Sequence, residues 1–217
     1  MPDGSLSLPA RLYLLAWDTS KSEATGAVQV PQLVRAGALT ELVRRGLLLD
    51  DDGIATPVDM DAHTDDAVLD GLLELVRESR PHRWRTWVTL RSRTTLDAVR
   101  EQLTAEGYLR ARKKRALGLF PTVDHDLGRP AAVEALQEEA RQILRGPVPA
   151  GQLPDRDAVL VALAAAAGLR TLQPRGEHHE ARVEELIESG GQAAPVLRMV
   201  LHEVCGALAT ASVTAGA

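Results

Sequence analysis

Few residues of this chain stand at spacings that catalytic chemistry requires. His202 and Cys205 lie three apart, an offset that brings two metal donors to one helix face. They fall, however, within the apolar stretch "APVLRMVLHEVCGALA", where such a pair fills a core more often than it holds an ion. His178-His179 is the only other approach to a ligand pair. Asp124-His125-Asp126 offers an acid/base group, but it follows an expected strand and reads as local capping in a polar turn. "DDDG" (50–53) has the aspartates of a calcium loop without the alternating spacing or the distal glutamate. The chain contains no glycine-rich phosphate loop, HExxH, GxSxG or CxxC. On these grounds no active site, cofactor or metal is expected.

The residues that do gather are cations. Between Arg77 and Arg115 stand twelve Lys/Arg against four acids, Glu78, Asp97, Glu101 and Glu106. That stretch carries +8 in a protein of net charge −5, which leaves −13 for the remainder. A charge split of this kind orients one face toward an anionic surface; solvated helix faces paired with nearby acids are the other reading. Within the stretch, "RARKKR" (110–115) is expected at a strand end and turn, where Lys113 and Lys114 would present flexible point charges to phosphate.

The elements that must position these residues follow from periodicity. Ser7 and Pro9 start a helix with an apolar stripe at Leu8, Leu12, Leu15 and Ala16. The polar loop "DTSKSEATG" (18–26) ends it, and a second helix runs from about Pro31 to Arg45, with Leu39, Leu42 and Val43 inward and Gly46 as cap. "LLL" (47–49) and "IATPV" (54–58) flank a tight turn. "DDAVLDGLLELVRESRP" (65–81) places apolar residues at 68, 69, 72, 73 and 76, a core-facing stripe. A short helix over 83–91 buries Trp87, and 95–107 turns Leu96, Val99 and Leu103 inward. "ELVRRGLL…PVD" (41–59) is echoed by "QLTAEGYL…PTVD" (102–124): a helix ends at glycine, two strands follow, and a proline leads to Val-Asp. Three or four helices after Pro130 complete the chain, with "PVPAGQLP" (147–154) as the natural hinge.

The expected fold is therefore mainly α. It is a single-domain helical bundle over residues 1–217, with short β-hairpins forming winged-helix-like units in the N-terminal half. The connector admits a subdivision into 1–146 and 155–217. Helix, turn and wing raise a DNA-binding regulator as the alternative function. Against it, the candidate recognition helix "QLVRAGALTELVRR" carries only three basic residues and lacks the Asn, Ser and Lys that read base edges. Six aromatic residues, Tyr13, Trp17, Trp84, Trp87, Tyr108 and Phe120, make a poor base-stacking platform, and nucleic acid is not the expected partner. A single cysteine excludes an intrachain disulfide and fits a reducing compartment. No apolar run approaches the roughly 18–20 residues that cross a bilayer, and "MPDGSLSLPARL" has no signal-peptide pattern. The cytoplasm is the expected location.

Read in order, "LPARLYLLAWD" (8–18), "VRAGALTELVRRGLLLD" (34–50), "LDGLLELVRESRP" (69–81) with "TWVTLR" (86–91), and "LPDRDAVLVALAAAAGL" (153–169) resemble the Golgi phosphoprotein 3 family, in the shorter form of its bacterial members. The resemblance implies one mainly α-helical domain without enzymatic activity. It also implies a cytosolic peripheral membrane protein that binds phosphatidylinositol 4-phosphate and the cytosolic tails of membrane enzymes. The family's lipid pocket uses a tryptophan, an arginine on the second helix and two arginines three apart before a later helix. Here Arg35 matches the second-helix arginine and Arg93 the first of the pair. Leu96 stands at the second, and the tryptophan position falls near Gly26. With Arg91 and the lysines Lys113 and Lys114 of the basic stretch, Arg35 and Arg93 make up the expected lipid-binding set, directed at phosphoinositide-like anionic headgroups. In eukaryotic relatives an apolar hairpin supports self-association. Its counterpart, "RTLQPRGEHHEARVEEL" (170–186), is short and polar, and the expected state is a monomer.

Overall fold

The computed structural model describes residues 6–19, 23–24, 29–116, 120–146, 148–172, 179–191 and 195–215. Helix α1 (Leu8–Leu15) begins where Ser7 and Pro9 predict, with Ser7 extended at the N-cap. The Ser7 hydroxyl does not cap the helix, and its buried Oγ has no hydrogen-bond partner. The loop expected over 18–26 contains a minimal antiparallel pair, β1 (Trp17–Asp18) with β2 (Glu23–Ala24). The position near Gly26 that corresponds to the family's tryptophan lies outside the described residues.

Helix α2 (Val30–Arg44) departs most from its expected pattern. It is buried at every position except Gln32 and Arg44, not along one inward face. It packs against α1 on one side and, elsewhere around its circumference, against helices that follow it in sequence. Small residues permit this enclosure. A Cβ at Gly37 would lie 2.4 Å from Leu12 Cδ1 and 3.3 Å from Pro9 Cα, so the two helices approach more closely there than any side chain would allow. A helix enclosed in this way cannot enter a DNA groove, so "QLVRAGALTELVRR" is not a recognition helix.

Gly46, at φ 71°, closes α2. Leu47 N–H donates to Leu42 O and Gly46 N–H to Val43 O, both at 2.9 Å. The same closure recurs at Gly107, so the echo between the two segments is real at the level of the helix cap. Strands β3 (Leu48–Asp51) and β4 (Ile54–Pro57) pair with Leu48 opposite Pro57. Asp52 and Gly53 both have positive φ, which gives the mirror-image turn that suits a two-residue hairpin. Asp50 is committed to this local structure, accepting hydrogen bonds from Gly53 N–H and from the Trp84 indole.

Helix α3 (Ala67–Glu78) buries Val68, Leu69, Leu72, Leu73 and Val76, the five positions its periodicity predicts. Asp66 caps it, accepting from Val68 N and Leu69 N. Helix α4 (Trp84–Thr89) buries Trp84, Trp87 and Val88. Helix α5 (Ser92–Ala105) starts three residues earlier than expected, because Arg91 adopts a left-handed conformation that turns the chain directly from α4 into α5. Strands β5 (Leu109–Ala116) and β6 (Phe120–Leu127) form a longer ribbon than the first hairpin. "RARKKR" lies within β5, not at the turn, with Lys113 opposite Val123 and Lys114 opposite Thr122. Asp124, His125 and Asp126 likewise belong to β6 and not to a polar turn.

Four further helices follow, α6 (Pro130–Arg145), α7 (Asp155–Ala166), α8 (Glu180–Gly190) and α9 (Pro195–Ala215). The apolar run of α7 is buried from Ala158 to Ala165, as a core helix should be. The connector read as a hinge is instead tethered to α8. Its 3-10 turn (Ala150–Gln152) accepts the Ser189 hydroxyl at Ala150 O (2.7 Å), and Arg182 donates to Val148 O (2.7 Å) and Ile143 O (3.1 Å). A single core cluster runs from Leu8 to Leu208 across this connector, with α2 packed on α7 and α9, and α4 on α9. The C-terminal end of α1 is closed from a distance. Gln137 Nε2 donates to Trp17 O at 2.6 Å, Thr171 Oγ1 donates to Leu15 O at 2.6 Å, and Arg141 Nε holds Thr171 O at 2.9 Å. Residues 173–178 of the "RTLQPRGEHHEARVEEL" stretch that bears on self-association lie outside the described residues.

Candidate anion-binding site at the α4–α5 junction

Helix α2 carries Arg35 to the base of the turn between α4 and α5. The Arg35 side chain is fully buried. Its Nη2 donates to Arg91 O at 2.6 Å and, over 3.3 Å, to Thr94 Oγ1. Nε and Nη1 are buried without a partner, and no carboxylate pairs with the guanidinium among the described residues. Burial pushes its pKa down to about 10, so it stays charged at neutral pH. A buried charge without a counter-ion costs stability, and such groups cluster at functional sites.

Three features above Arg35 add to the same sign of potential. The N-terminus of α5 carries the positive end of its helix dipole, with no acidic residue in its first turn and no side-chain cap. Its N-cap is an arginine, where Asp, Ser, Thr or Asn is the usual choice. Arg91 holds φ at 50°, a conformation that costs a non-glycine residue about 1–2 kcal/mol. That strain directs the Arg91 carbonyl inward, where it accepts from Arg35, from Thr94 Oγ1 at 2.7 Å and from Thr94 N at 3.1 Å. At the outer side of the junction Arg91 and Arg93 are exposed, and neither has an acidic partner among the described residues.

The structure thus brings together three of the five expected site residues, Arg35, Arg91 and Arg93. Arg35 lies beneath the junction, and the other two stand at its surface. Lys113 and Lys114 are carried on β5, and only their backbone register is described. Leu96, at the place of the second family arginine, is a core residue. Sequence reading counted Arg80, Arg83 and Arg85 in the charge sum without assigning them to the site. They are exposed before and along α4, with Arg83 at its N-cap beside the first hairpin and away from the junction.

The other chemical candidates separate. Cys205 is buried, and desolvation raises its thiol pKa to about 12, so it is held as an inert thiol. His202 turns to Glu184 and Glu188 on α8, not to Cys205. His125 is pushed below its ordinary range by burial and then by Arg100. Arg100 donates to the buried Tyr13 hydroxyl at 3.3 Å, and burial raises that phenol.

No curated protein matches the chain in comparison. A family model described as Golgi phosphoprotein 3 (GPP34) matches residues 8–204. The match begins at the first residue of α1 and ends within α9, spanning the core cluster up to Val204 and the Arg35–Arg91 junction. By that extent, the chain belongs to the Golgi phosphoprotein 3 (GPP34) family.

Proposed function

We propose that this protein is a non-enzymatic peripheral membrane protein that binds anionic phosphate headgroups at the α4–α5 junction. Arg91 and Arg93 meet the headgroup, and Arg35 supplies positive potential from beneath. Phosphatidylinositol 4-phosphate is the headgroup that family membership favours, and the cytoplasmic face of a membrane is the corresponding location. Lys113 and Lys114 on the β5–β6 ribbon add nonspecific attraction to the bilayer. The protein acts as a monomer, and cytosolic tails of membrane proteins are its natural clients. One observation carries the reading: Arg35 is a buried, charged guanidinium with two unpaired donors, set under a helix N-terminus that has no acidic side chain to neutralise it.

Vesicle flotation tests it. Cations near an anionic surface contribute about 1 kcal/mol each. Arg91→Gln with Arg93→Gln should therefore weaken binding to phosphatidylglycerol or phosphoinositide vesicles by about 2 kcal/mol, roughly 30-fold. Lys113→Ser with Lys114→Ser should lower affinity equally for all anionic lipids. Unchanged flotation of the arginine double variant, with an intact circular dichroism spectrum, would reject the site.

A further inference from the structure

Helices α8 and α9 pack side by side, and three side chains with donor atoms meet on their exposed face. Glu184 and Glu188 are four residues apart on α8 and so share one side of it. His202 approaches them from α9. Its Nε2 lies 3.5 Å from Glu188 Oε1 and 3.8 Å from Glu184 Oε1, and the three donor atoms all fall within 4.8 Å of one another. We propose that Glu184, Glu188 and His202 bind a first-row divalent transition ion, with zinc as the type, bridging α8 to α9.

The distances carry the proposal. A tetrahedral zinc ion with N and O ligands at about 2.0–2.2 Å separates those ligand atoms by about 3.4 Å. Two edges of such a coordination triangle are therefore nearly formed, and the third closes by rotation of an exposed carboxylate. An ordinary histidine ion pair needs one carboxylate, whereas here two converge on the same ring nitrogen. Glu188 is also oriented from behind. Arg198 Nη1 holds its Oε2 at 2.9 Å, which leaves Oε1 facing His202. A hydrogen bond to a ligating carboxylate is the usual outer support of a metal centre.

The donor set selects the ion. Imidazole with two carboxylates suits zinc, cobalt, nickel or manganese, while calcium and magnesium take oxygen ligands alone. Three protein ligands leave a coordination position for water. Cys205, one turn beyond His202, remains a buried thiol outside the set. The site shares no residue with the headgroup site and does not depend on it.

Isothermal titration of untagged protein with zinc chloride tests the proposal, with cobalt absorption as a second readout. One ion per chain should bind with micromolar affinity, and millimolar magnesium or calcium should not displace it. Glu184→Gln and His202→Gln should each weaken zinc binding by about tenfold or more, and should bleach the cobalt bands while leaving the circular dichroism unchanged. Absence of saturable zinc binding below about 1 mM would overturn the proposal. So would zinc affinity and cobalt bands unaltered in both variants, because the ion would then be held elsewhere.

Discussion

Replacing Arg35 by methionine should make the free protein more stable while weakening its hold on anionic vesicles. The guanidinium makes one short hydrogen bond to Arg91 O and one long one to Thr94 Oγ1, and leaves Nε and Nη1 unpaired. Burial lowers its pKa from the ordinary arginine value to about 10. At about 1.4 kcal/mol per pH unit, that drop corresponds to about 3 kcal/mol of destabilisation of the charged form. Two unpaired donors at roughly 1–3 kcal/mol each give the same order. Methionine fills much of the same space and removes the charge. The variant forfeits a charge-assisted hydrogen bond of about 1.5–3 kcal/mol. The Arg91 carbonyl is not orphaned, because the Thr94 hydroxyl and amide still donate to it. A net gain of up to about 1.5 kcal/mol follows, in line with other exchanges of buried ions for apolar groups. Urea denaturation should show a higher midpoint at unchanged slope. A loss of more than about 1 kcal/mol would refute the reasoning, since it would mean that the guanidinium is well satisfied in the folded protein. The sign with pH is also fixed. The cost is full below the folded pKa of about 10 and is relieved as pH rises above it toward the ordinary arginine value, because the unfolded chain then retains a proton that the folded chain has released.

Three further outcomes are expected. Gly37→Val should cost about 1–3 kcal/mol by overpacking, read as a lowered melting temperature, because even a Cβ there would lie 2.4 Å from Leu12 Cδ1. Asp66→Ala should cost about 1 kcal/mol in urea denaturation through loss of the α3 cap, while Asp66→Asn should retain most of it. Cys205 should fail to react with Ellman's reagent at pH 8 in the native protein and should release one equivalent once unfolded, since its thiol is buried with a pKa near 12.

Periodicity served where a helix has two environments and failed where it has one. The five inward positions of α3 were legible because its opposite face meets solvent. The one-sided reading of α2 failed because later helices surround it, and that enclosure is set by residues far away in sequence. The early start of α5 was hidden for a different reason: nothing in the identity of Arg91 announces a left-handed backbone, which glycine or asparagine would have signalled. In the proposed headgroup site, Arg35 and Arg93 enter through family resemblance. The atom that joins Arg35 to the junction is a backbone carbonyl and has no sequence signature. His202 was read against Cys205, its neighbour at helical spacing, whereas its actual partners lie on the preceding helix, Glu188 being 14 residues away.

The remote closure of α1 bears on the order in which the chain can fold. The helix has eight residues, too few to persist alone in water, and the side chains that reach its last carbonyls and the chain just beyond it, Gln137 and Thr171, arrive 120 to 156 residues later. During synthesis α1 therefore leaves the ribosome as an unfinished element. It can close only after Gln137 and then Thr171 have been made, which ties the N-terminus to sequence contacts of very high separation and places its docking late. A chain stopped at Gly146 would contain every residue of the α4–α5 junction, yet it would lack the Thr171 hydroxyl and the α7 surface against which α1 packs. Emergence of Thr171 and α7, and not emergence of the α4–α5 junction, thus marks the moment at which α1 can close.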